Sequence, residues 1–128
     1  MDQEGRLPSA ADVKEAILRF QYAEKLKSGL IIGMRLLNHV VTLKGDELSG
    51  GKKAVVWYLE GLSGELQIAG NVLGTDEWNS LERKLNELMG RIELLQFAEA
   101  LSAFSEAISL ATTSCQSSMN FLMEKHLI

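Results

Sequence analysis

From Arg91 to Ile128 the chain contains neither glycine nor proline, and between Thr75 and Arg91 its one helix breaker is Gly90. A stretch this long without punctuation reads as helix, and every other element has to pack along it. Thr75 is a suitable N-cap. Asp76 and Glu77 follow in the first turn, where carboxylates complement the helix dipole.

The stretch carries two apolar seams. Trp78, Leu81, Leu85, Leu88, Ile92 and Leu95 recur three and four apart, the spacing of a helix packed lengthwise on another. A second seam starts before the first ends and runs through Leu94, Phe97, Leu101, Phe104, Ile108, Ala111, Cys115, Ser118 and Leu122. The seams differ in phase by one residue, which turns the buried face by about 100°. A continuous helix then meets different neighbours at its two ends, and the second seam is expected to face a second copy of the chain. The alternative is a break near Gly90 or within Thr112–Ser118, which gives a four-helix antiparallel bundle.

Two helices precede it. Ser9 followed by Asp12 is a capping box with Asp in the acidic place. Val13, Ala16, Phe20, Ala23, Lys27, Leu30, Met34, Leu37 and Val41 then hold helical spacing, with Gly29 and Gly33 on one side as points of close crossing. Gly45 reads as the end of this helix and residues 45–51 as a loop. The expectation is an all-α, elongated antiparallel helical bundle with heptad-like, coiled-coil seams. It has three long helices over about 10–44, 52–73 and 76–125, the third continuous or broken into two. Residues 1–8 read as a frayed terminus and 9–128 as one domain.

Charge narrows the function classes. The net charge is −4, from 13 basic and 17 acidic residues. That disfavours a nucleic-acid backbone as the main partner. No apolar run reaches the length of a membrane span, since Arg35 interrupts Leu30–Leu37. No signal-like segment opens the chain, so the cytoplasm is the default location. Cys115 is the one cysteine and sits among apolar residues, as a buried hydrophobe does.

One residue departs from its helical face. Glu65 falls in the apolar line of Tyr58, Leu62, Ala69 and Val72, where a carboxylate has to be paired, hydrogen-bonded or protonated. Arg35, Asn38 and His39 on the first helix are the candidate partners, and Glu65, His39 and Arg35 the candidate buried polar site. Gly64-Glu65-Leu66 resembles the end of the EExGEL motif of MazG-like all-helical nucleotide pyrophosphohydrolases, and Glu87-Leu88 lies about where their second acidic motif falls. The resemblance implies magnesium held by carboxylates and a nucleotide substrate. It covers a few residues only: Gly61 and Leu62 stand where the family has glutamates, and Arg91 near where it has an aspartate.

No other chemistry is legible. His39 and His126 have no Cys, Asp or His at ligand spacing, and no nucleophile–base pattern appears. No catalytic residue, cofactor or metal is assigned. The expectation is a non-catalytic interaction, scaffold or adaptor protein, homodimeric through the second seam and open to a protein partner. The alternative is a ligand-, magnesium- or nucleotide-binding bundle centred on Glu65.

Overall fold

The computed structural model describes residues 9–73 and 76–126. It holds four helices: α1 (Ala10–Val40), α2 (Gly45–Leu73), α3 (Asp76–Glu93) and α4 (Phe97–Glu124). The frayed terminus expected over residues 1–8 and the Thr75 cap lie outside the described residues.

The helices form a ring in which α1 packs on α2 and α4, and α3 on α2 and α4. Cross-helix pairs run in opposite directions along each neighbour. Gly33 lies by Phe104 and Glu24 by Cys115 between α1 and α4, while Lys25 meets Glu65 and Val40 meets Gly51 between α1 and α2. Short loops joining antiparallel neighbours produce this arrangement. Its interior is one cluster to which all four helices contribute, with Leu30, Leu59, Leu85 and Phe104 fully enclosed. Trp78, Leu81, Leu85, Leu88 and Ile92 are buried, so α3 uses its expected seam as far as Ile92; Leu95, the seam's last expected member, is 51% exposed and lies past the end of α3.

The first correction is the break in the long stretch. It falls at Leu94–Gln96, whereas Gly90 lies inside α3 and Thr112–Ser118 inside α4. Leu95 takes φ 59°, the Leu95 N–H donates to the Ile92 carbonyl at 3.0 Å and the Gln96 N–H to Arg91 at 2.9 Å. That is a Schellman ending with leucine where glycine is usual. The Arg91 guanidinium also donates to Gln96 Oε1 at 2.7 Å, tying the turn together. The one-residue phase shift between seams marked this turn, and a change of direction replaces the rotation of a continuous helix.

The second correction concerns residues 45–51. α1 ends at Val40, the connection is Val41–Lys44, and Gly45 opens α2 at φ 61°. Asp46 and Glu47 sit in the first turn, where the dipole favours them. Gly51 is a packing position: a Cβ there would stand 3.1 Å from Val40 and 3.2 Å from Leu43. The capping box of α1 forms as expected, with Asp12 N–H donating to Ser9 Oγ at 3.0 Å.

The close crossing expected at Gly29 and Gly33 is present. A Cβ on Gly33 would lie 3.0 Å from the Phe104 ring and 3.3 Å from Tyr58. The Tyr58 hydroxyl donates to the Gly29 carbonyl at 2.8 Å and holds α2 against α1. Burial, with Glu65 nearby, pushes the Tyr58 phenol above its ordinary range.

Candidate functional site

The second seam is used within the chain. Phe104, Ala111, Cys115 and Leu122 are buried, and Phe97, Leu101 and Ile108 are half-buried against the same core. Leu94 is 68% exposed because it belongs to the turn. The expectation that this seam faces a second copy is therefore corrected: α1 and α3 of the same chain meet it. Cys115 lies 3.7 Å from Glu24 Oε1, and burial, reinforced by that carboxylate, pushes its thiol up to about 11.

Glu65 does not gather the expected partners. Its carboxylate pairs with Lys25 at 3.3 Å and is only half-buried. Arg35 and His39 are exposed and lie about three and about four helical turns along α1 from Lys25, because the antiparallel register sets residue 25 opposite 65. The crevice that Glu65 borders, with Tyr22, Lys25 and Trp78, measures about 10 Å³, less than a ligand needs. Glu87 pairs within α3 with Lys84 at 3.2 Å, and Lys84 in turn reaches Glu106 of α4 at 2.6 Å. Those hydrogen bonds, Glu106 first, hold the Lys84 ammonium above its ordinary range. Glu65 and Glu87 thus pair with different lysines. Among the described residues, no group of three or more His, Cys, Asp or Glu side chains is placed to hold a metal ion. No described helix is long and apolar enough to cross a membrane.

Two features remain. At the outer end of α1 and α4, Asp12, Glu15, Ala16, Arg19, Ser118 and Phe121 line an open cavity of about 310 Å³. The other is the outer face of α2. On a helical wheel Trp57, Gly64, Ile68, Gly50 and Gly61 fall within about 40° of one line, and Trp57 and Ile68 are 68% and 58% exposed. Ala54 borders one edge. Lys53, Glu60, Gln67 and Asn71, all exposed, border the other.

This is the reverse of an ordinary bundle helix, whose outward centre is polar. The opposite side of α2 (Val55, Leu59, Leu62, Leu66) already supplies the core. Gly50, Gly61 and Gly64 have open space where a Cβ would stand, so packing within the chain does not require glycine at any of them. Each forgoes about 1 kcal/mol of helix stability relative to alanine. Reading 45–51 as loop hid Gly50, and with it the length of the face. The signal available was the spacing of Gly50, Trp57, Gly64 and Gly61, Ile68 at sevens.

Comparison with protein-family models, curated proteins and solved structures returns no match.

Proposed function

We propose that this chain is a non-catalytic helical interaction protein whose working surface is the outer face of α2. The observation that carries the reading is the exposed stripe of Trp57 and Ile68 set among Gly50, Gly61 and Gly64. Large apolar side chains next to small residues are what one helix presents to another helix laid along it. An indole supplies a large contact area with little rotamer entropy to lose, which is why tryptophan anchors interfaces. The other three helices act as scaffold: they fix α2 by its inner side and leave its outer side free to engage.

The test is a photo-reactive phenylalanine analogue at position 57, expressed in the protein's own cells and irradiated. A discrete cross-linked adduct is expected from position 57 and none from position 49, an exposed position at the side of the stripe. Absence of any adduct from position 57 overturns the reading. The alternative centred on Glu65 is tested by thermal unfolding with magnesium and nucleotides. A stabilisation that disappears in Glu65→Gln supports it over the interaction reading.

A further inference from the structure

We propose that the outer face of α2 docks a second copy of this chain, with the two α2 helices antiparallel across a two-fold axis. This rests on the reading of that face as the working surface. The face is self-complementary in charge. Lys53 and Glu60 lie on the same edge, seven residues apart, and both are exposed. Neither makes an ion pair with another described residue. In an antiparallel two-fold pairing, one register sets Lys53 against Glu60 of the second copy, and symmetry forms the same pair again.

Side-chain size is compatible with the same register. It lays each Trp57 over Ala54 of the other copy and brings each Gly61 opposite Gly50. An indole thus meets a methyl, and the glycines, open above their Cα atoms in the single chain, become the points where the two backbones approach. Sliding one heptad in one direction sets Lys53 against Lys53; sliding the other way sets Glu60 against Glu60. Like charges at such flanking positions disfavour both alternatives. Attraction in one register and repulsion in its two neighbours therefore select this arrangement. A heterologous partner would not require Lys53 and Glu60 to be spaced for each other.

The contact is modest. About 20 residues of helix extend ~30 Å, and two such faces bury on the order of 1,000 Å² in total, the low end for a specific interface. A reversible dimer follows, visible as a concentration-dependent mass.

The experiment is sedimentation equilibrium of the full chain from low micromolar to millimolar concentration. The mass should rise from 14.1 kDa toward twice that value. Lys53→Glu and Glu60→Lys should each weaken association about tenfold, and the double variant should recover most of that loss. Trp57→Glu should be monomeric, with helicity and unfolding midpoint unchanged, because the side chain it replaces is exposed. A wild-type chain that stays monomeric throughout overturns the proposal. So does association that survives Trp57→Glu, or a double variant no better than the single ones. The position-57 cross-link separates the two levels of the argument. An adduct of twice the chain mass supports the second copy. An adduct with another protein overturns the second copy but leaves α2 as the working surface, and no adduct overturns both.

Discussion

Glycine to alanine should act in opposite directions at Gly33 and Gly61, and the difference can be worked from the structure. Both lie inside helices, so alanine brings each about 1 kcal/mol of helix propensity. At Gly61 nothing stands within 4 Å of the new Cβ, and the whole gain is kept. At Gly33 the Cβ would lie 3.0 and 3.2 Å from two Phe104 ring atoms and 3.3 Å from Tyr58. Neither ring is free to yield. Phe104 is fully buried, and Tyr58 is held by its hydrogen bond to the Gly29 carbonyl. Overpacking of this kind costs about 1–3 kcal/mol, so Gly33→Ala should destabilise by about 0–2 kcal/mol net. Gly29→Ala is an internal control. Its closest neighbour is Leu62 Cδ2 at 2.7 Å, the tip of a flexible side chain, and the change should fall between the other two. Urea unfolding followed by far-UV circular dichroism, at concentrations where the chain is monomeric, measures all three. At about 4 °C per kcal/mol, melting midpoints should separate Gly61→Ala from Gly33→Ala by about 4–12 °C. A Gly33→Ala variant as stable as Gly61→Ala would refute the close α1–α4 crossing.

Three further perturbations probe other parts of the bundle. Phe104→Asp places a charge without a partner in the core and removes a ring that is fully enclosed. It should destabilise by at least about 4 kcal/mol, read as loss of the cooperative unfolding transition, and wild-type melting would contradict the burial. Leu95→Gly relieves a leucine held at φ 59° whose side chain is largely exposed. It should stabilise by about 1 kcal/mol in the same urea assay, and a loss of stability would place Leu95 in a contact that the turn geometry does not contain. Cys115, with its thiol raised from 9.0 to about 11, holds roughly a hundredfold less thiolate at pH 8 than an ordinary thiol. Alkylation of the native protein should be slower than that of the urea-unfolded chain by at least that factor. Because the folded pKa is raised, its stabilising effect is complete below pH 9 and is lost as pH rises toward 11. A native alkylation rate equal to the unfolded one would refute the packing of α4 on α1.

The apolar periodicity made the helical class, the α3 seam and the close crossing at Gly29 and Gly33 legible, because burial in a bundle is what spaces apolar residues three and four apart. The break at Leu94–Gln96 was harder, since the Schellman turn uses Leu95 where a reader looks for glycine. What the turn leaves in the sequence is the one-residue phase shift, which a long helix with two neighbours also explains. Gly45 illustrates the converse. It has the positive φ of a turn glycine, yet it opens α2 instead of closing α1, and the acidic pair Asp46–Glu47 was the cue to a helix start. The site at Glu65 failed for reasons of register. Wheel position puts its carboxylate near α1, but only the loop lengths decide which turn of α1 it meets, and Lys25 stands there in place of Arg35 and His39.

The exposed glycines of α2 connect stability to association. Gly61→Ala should make the single chain more stable, since its Cβ meets nothing. In the antiparallel pair Gly61 lies opposite Gly50 of the second copy, and the same methyl would push the backbones apart and weaken association. Two measurements on one variant then move in opposite directions: the urea midpoint rises while the dimer dissociates at higher concentration. A purely structural role for these glycines does not produce that opposition, because a residue kept for packing within the chain lowers stability when it is enlarged, as expected at Gly33. If Gly50→Ala and Gly61→Ala both raise the unfolding midpoint and leave the mass distribution untouched, the backbones do not meet there and the register set by Lys53 and Glu60 is wrong.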